Sequence, residues 1–127
     1  MARQMICLDT NYLIRGLVKG STEEAELLAW TRDGIPLIAS AVVWYEFLCG
    51  PVTPSQIATM RAFLNEIASF QERQAEESAR LFNAVGRKRT LRIDATIAAS
   101  AIIAGATLAT DNRRDFERFV PHGLKLR

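Results

Sequence analysis

Four acidic residues, spread along most of the chain, stand in apolar surroundings: Asp9, Glu46, Asp94 and Asp111. Asp9 ends the run Met5-Ile6-Cys7-Leu8, and Asp111 closes Thr107-Leu108-Ala109-Thr110. Asp94 opens an Ala- and Ile-rich segment, and Glu46 interrupts Val42-Val43-Trp44-Tyr45-Glu46-Phe47-Leu48. A carboxylate taken out of water is costly unless paired, hydrogen-bonded or bound to a cation. If folding gathers the four, they cannot all ionise cheaply, and a divalent ion would relieve the repulsion. Oxygen donors select hard cations, Mg2+ or Mn2+. A single histidine, His122, and two separated cysteines, Cys7 and Cys49, make a zinc site improbable. Two hard cations side by side would activate a water and stabilise the leaving oxygen of a phosphodiester.

Helix capping competes with this reading for the three aspartates, because Asp is favoured at that position. Tyr12, Ile97 and Arg114 stand three residues after Asp9, Asp94 and Asp111, so a capping box is absent while a plain cap remains. Taken singly, capping is the simpler explanation for each. Glu46 is different. It lies within a helical stretch whose residues one turn away are Val42, Val43, Cys49 and Gly50, none of them basic. It turns either to solvent or to a polar site, and the site is the reading favoured here.

The elements that must position these groups alternate. An apolar strand ending at Leu8 leads into a helix with Tyr12, Leu13, Leu17 and Val18 on one face, stopped at Gly20. Ser21, with Glu24 three residues on, starts a second helix that Gly34 ends. Pro36–Ala39 reads as a strand, and Ser40 caps the helix that carries Glu46 as far as Gly50-Pro51. Thr53-Pro54 begins a helix running to about Ile67, and Ser69-Phe70 suggests a brief edge strand. From Arg73 to about Lys88 the chain is amphipathic, with Ala75, Ser78, Ala79, Phe82 and Val85 inward. Asp94–Ala106 is apolar all round, as a central helix is. A strand over Thr107–Thr110, a short helix over Asn112–Phe119 and a last strand over Leu124–Leu126 complete the series. Such alternation implies a parallel sheet with helices on both faces and a binding edge at the carboxyl ends of the strands.

With 127 residues, 49% apolar and 24% charged, the chain is expected to form one domain, residues 1–127, with a real core. Its apolar runs are too short for a membrane span and no signal peptide is evident, so a cytoplasmic protein is expected. Both cysteines lie in apolar runs and read as small buried hydrophobes. A net charge of +2 does not by itself imply nucleic acid. Its distribution is more telling: Arg87-Lys88-Arg89 with Arg92 precede Asp94, and Arg113-Arg114 with Arg118 follow Asp111. Basic groups flanking carboxylates suit a phosphate backbone that approaches metal. Solvated helix ends are the plainer explanation of each cluster taken alone.

In order and spacing, Ile6–Asn11, Trp44–Phe47, Asp94–Ala101 and Leu108–Phe116 resemble the PIN-domain nucleases. The short length and the D-x-x-I-A-A-x-A block at Asp94 are most similar to VapC-type toxins of type II toxin–antitoxin pairs. The resemblance implies an α/β/α sandwich with a central, mostly parallel sheet, and Mg2+- or Mn2+-dependent endoribonuclease activity. It implies that Asp9, Glu46, Asp94 and Asp111 bind the metal, with Asp115 an additional acid. It also implies that Thr10, Asn11 and Thr110 orient the carboxylates or water. Further implications are an RNA substrate, a VapB-like antitoxin partner and a homodimer; Leu27, Leu28, Trp30 and the Pro54–Ile67 segment could serve such surfaces, with ordinary core packing the favoured reading for most of them. Two other readings compete: a non-catalytic RNA- or protein-binding module of the same fold, and a receiver-like phosphoryl-transfer domain using Asp9. The latter lacks a second aspartate at the first strand.

Overall fold

The computed structural model describes residues 4–127. Four strands, β1 (Ile6–Leu8), β2 (Leu37–Ser40), β3 (Glu66–Ala68) and β4 (Thr107–Ala109), form one sheet in the order β3-β2-β1-β4. Every pairing is parallel, with Cys7 opposite Ile38 on one side and Leu108 on the other. Continuous apolar runs make this possible: β1 and β2 are buried at every residue, as strands covered on both faces must be. The helices α1 (Thr10–Arg15), α2 (Thr22–Arg32), α3 (Ala41–Cys49), α4 (Pro54–Phe63), α5 (Glu72–Ala84), α6 (Arg92–Ala104) and α7 (Arg113–Phe116) flank the sheet as a three-layer sandwich.

Strand order decides where the site lies. The chain steps outward from β1 to β2 and β3, then returns to the other side of β1 as β4. The reversal falls between β1 and β4, and the crevice at their carboxyl ends is where such sheets bind ligands. Asp9 follows β1 and Thr110 follows β4.

Local chemistry fixes most helix starts. Ser40 Oγ, fully buried, accepts the Val43 N–H at 3.1 Å and thereby sets the direction of α3. Thr53 and Gln56 form a reciprocal capping box around Pro54. Ser21 accepts the Glu24 N–H, but the Glu24 carboxylate reaches the N–H of Gly20 instead of closing the box on Ser21.

Several boundaries differ from the sequence expectation. Helix α1 ends at Arg15, before Leu17 and Val18. Helix α4 ends at Phe63, because Leu64 turns extended and Ile67 belongs to β3, which precedes Ser69-Phe70. The Asn65 side chain accepts the Leu37 N–H while its own N–H donates to the Leu37 carbonyl, locking that register. Helix α5 stops four residues before Lys88. Gly86 (φ +94°) and Arg87 (φ +62°) take the left-handed region, and the Arg87 N–H folds back to the Phe82 carbonyl. Its buried face is Ser78 and Leu81, while Ala75 and Ala79 are exposed. A 3-10 turn over Arg89–Leu91 feeds directly into α6, which therefore begins two residues before Asp94. Helix α7 is a single turn continued by a 3-10 stretch over Glu117–His122. The C-terminal segment forms one parallel bridge, Leu126 to Leu108, rather than a strand. Cys7 is buried as expected, whereas Cys49 is exposed. Leu27 and Trp30 belong to the core, and Leu28 is exposed. No helix among the described residues is long and apolar enough to cross a membrane.

Gly16 closes α1 where α2 crosses it. A Cβ there would stand 2.4 Å from Leu27 Cδ1 and 2.6 Å from the Tyr12 carbonyl oxygen. Gly16→Ala should therefore cost about 1–3 kcal/mol, the usual penalty of overpacking. The measurement is a lower urea midpoint at unchanged m-value. An unaltered midpoint would mean that the α1–α2 contact is not tightly packed.

Candidate active site

Asp9 is buried, with 6% of its surface exposed, and both carboxylate oxygens are engaged. Oδ1 accepts the Thr10 N–H at 2.8 Å, and Oδ2 accepts the Thr110 hydroxyl at 2.7 Å. Asp9 thus sits at the N-cap position of α1, but half of its capacity goes across the sheet to β4. Burial pushes its pKa up, the two hydrogen bonds pull it back, and Glu46 adds repulsion. Glu46 points from α3 to α1, where its Oε1 accepts the Thr10 hydroxyl at 2.8 Å. Thr10 therefore ties together the first two acids through its backbone and its side chain.

Asp94 is not a cap. It is the third residue of α6, half-buried, in the first turn where the helix N-terminus favours negative charge. Even so its pKa rises to about 6, through desolvation first and then through Asp9, Asp115 and Glu46. The other three carboxylates thus lie within electrostatic reach of Asp94. Asp115 is held by Asn112, whose amide Nδ2 donates to its Oδ2 at 3.0 Å. The Asn112 N–H in turn donates to Thr110 Oγ1 at 2.9 Å, so one hydroxyl connects the Asp9 and Asp115 sides.

Asp111 takes another place. It is exposed, and its neighbours are Glu23 and Glu26 of α2 and Arg15 of α1. Arg15 Nε lies 3.3 Å from Glu23 Oε1 and 3.8 Å from Asp111 Oδ2. Burial and the Glu23 carboxyl raise Asp111 to about 6. Glu23 is held below its ordinary range by its own backbone N–H at the start of α2, by Asp111 and by Arg15. The structure thus brings Asp9, Glu46, Asp94 and Asp115 together and sets Asp111 beside them in a second group. Sequence reasoning missed Asn112 and Glu23. Both left a signal: Asn112 stands three residues before Asp115, and Glu23, Leu27 and Trp30 share one buried helical stripe. Of the other expected residues, Asn11 is exposed. Arg87, Lys88, Arg89 and Arg92 are exposed on the connection that delivers Asp94, and Arg113 and Arg114 on α7. Arg92 lies over the Phe82 ring, and Arg113 bonds the Arg127 carbonyl.

The donor set suits a hard divalent cation. It is all oxygen, and none of its four carboxylates is in an ion pair among the described residues. Asp94 is left with its charge disfavoured. The cage is not preformed: no three acidic, histidine or cysteine side chains among the described residues converge closely enough to hold an ion.

In chelator, this electrostatic strain sets the pH dependence of stability. Asp94 and Asp111 titrate at about 6 in the folded chain, above their ordinary 3.8. Between those values the folded state holds more protons than the unfolded one. Their contribution is therefore fully present below pH 3.8 and is lost as pH rises through 6. Asp94→Asn should flatten that fall and raise the chelated protein's melting temperature at pH 7. Melting curves across this window check it, and an unchanged slope would refute the electrostatic account of Asp94.

Comparison with known proteins agrees with this architecture. A chain of the VapBC2 complex from Rickettsia felis, bound to promoter DNA, superposes with a TM-score of 0.79 over 98% of both chains at 20% identity. DNA-bound VapBC from Salmonella typhimurium gives 0.75, covering 98% of this chain and 97% of that one at 19% identity. A toxin–antitoxin complex from Klebsiella pneumoniae gives 0.67 at 29% identity, covering 87% and 89%. No curated protein shows significant sequence similarity to the chain. The family model described as the PIN domain matches residues 6–120, and the chain belongs to the PIN-domain family.

Proposed function

We propose that the protein is a metal-dependent endoribonuclease acting as the toxin of a toxin–antitoxin pair. The observation that carries this reading is the linkage of Asp9, Glu46 and Asp115 through Thr10, Thr110 and Asn112 at the switch point between β1 and β4, with the charge of nearby Asp94 disfavoured by these acids and no basic side chain paired to any of the four among the described residues. Members of the PIN-domain family are nucleases, and similar solved chains come from toxin–antitoxin complexes.

In this reading Asp9, Glu46, Asp94 and Asp115 hold Mg2+ or Mn2+, with Asp111 at the margin. A divalent cation bound there would supply the positive charge that makes a water acidic and stabilises the leaving oxygen. The chain's own residues do the positioning. Thr110 and the Thr10 N–H fix the Asp9 carboxylate, the Thr10 hydroxyl aims Glu46, and Asn112 holds Asp115. The exposed Arg87, Lys88, Arg89 and Arg92, with Arg113 and Arg114, would receive RNA phosphates on either flank. A VapB-like antitoxin and a second copy of the chain are the partners, and the cytoplasm is the compartment. The antitoxin rests on the likeness to toxin–antitoxin complexes.

Cleavage of a structured RNA with Mg2+ present tests the assignment. Asp9→Asn, Asp94→Asn and Asp115→Asn should each reduce it by more than about 100-fold, beyond what loss of a residue behind the ligands does. Asp111→Asn should retain most activity. Full activity in Asp94→Asn defeats the metal assignment, and chelator-insensitive RNA binding without cleavage establishes the non-catalytic alternative instead.

A further inference from the structure

We infer that Arg15 is a phosphate-binding residue of the RNA track, presented by Glu23 and Asp111; the inference rests on the nuclease reading above. Arg15 lies six residues after Asp9, about 9 Å further along the axis of α1. It belongs to the group around Asp111, which is separate from the carboxylates that perturb Asp94. The two groups meet at the end of β4, where Thr110 bonds Asp9 and the next residue is Asp111.

The guanidinium is held at one end only. Its Nε stands 3.3 Å from Glu23 Oε1 and 3.8 Å from Asp111 Oδ2, and the side chain is 62% exposed. Its terminal nitrogens make no hydrogen bond among the described residues. Glu23 Oε1 is buried and accepts no hydrogen bond in proper geometry. Glu23 is buried, so Arg15 offsets part of the cost of its charge. That role uses only Nε: two carboxylates draw it down, and the planar fork is left facing water in the form that binds phosphate bidentately. Tyr12, whose hydroxyl donates to Glu26 at 3.0 Å, walls the same face of α1 one turn earlier. With Arg87–Arg92 adjoining Asp94 and Arg15 adjoining Asp111, cations border both groups of acids. A bound strand would meet Arg15 through a phosphate next to the scissile one, not at it.

The test uses Arg15→Gln and Arg15→Lys, each in an Asp94→Asn background that leaves RNA intact. The probe is a short fluorescein-labelled single-stranded oligoribonucleotide, titrated over a range of salt concentrations with Mg2+ present. Arg15→Gln should weaken binding several-fold at low salt and reduce the slope of log affinity against log salt by about 0.7, the loss of one phosphate contact on a single strand. Arg15→Lys should keep the slope. An unchanged slope in Arg15→Gln overturns the inference alone. So does a lowered melting temperature with the slope intact, since that is the signature of a merely structural arginine. Absence of RNA binding by the Asp94→Asn parent overturns the nuclease reading and this inference together.

Discussion

The hydrogen bond from the Thr110 hydroxyl to Asp9 is the contact on which the rest of the site depends. It crosses from β4 to β1 at the point where the sheet reverses its order, and it is buried. Asp9 could not sit there without it, because desolvation already disfavours its charge and only two donors oppose that cost. The same oxygen of Thr110 accepts the Asn112 N–H, and Asn112 holds Asp115. One hydroxyl therefore sets the spacing of acids contributed by β1 and α7. The sheet register, Leu8 opposite Ala109, brings the two side chains opposite each other.

Much of this was legible in the amino-acid sequence. The buried strands show as continuous apolar runs, and Ser21, Ser40 and Thr53 name their helix starts through polar side chains at N-cap positions. Glu46 is conspicuous because no local interaction explains a carboxylate inside that helix, and the structure duly turns it to Thr10. What sequence could not supply was direction. Asp111 and Asp115 are both acids at the end of β4, four residues apart, and each fits a helix-terminus pattern. Which one faces Asp94 depends on how a one-turn helix leaves the strand, a tertiary outcome with no periodic signal. The start of α6 was hidden for a similar reason. The 3-10 turn before it has no N-cap side-chain hydrogen bond, so no residue type marks its beginning.

Two electrostatic environments lie side by side as a result. Around Asp94 the charges are all negative and no basic side chain balances them among the described residues. Around Asp111 an arginine is already built in, and the Glu23 carboxyl lies beside it. The first group carries unbalanced negative charge, and the second has a cation built in.

The end of the chain has a consequence for assembly. Leu126 bridges to Leu108, the Lys125 carbonyl accepts the Leu108 N–H, and the Arg127 N–H donates to the Leu108 carbonyl. These contacts occupy the outer edge of β4, so the sheet cannot be extended there by another chain. At the opposite margin β3 is only three residues long and begins with the exposed, charged Glu66. Both rims are thus closed to strand addition, one by cover and one by brevity and charge. Trimming the last few residues would open a rim directly beside the strand that leads into Thr110.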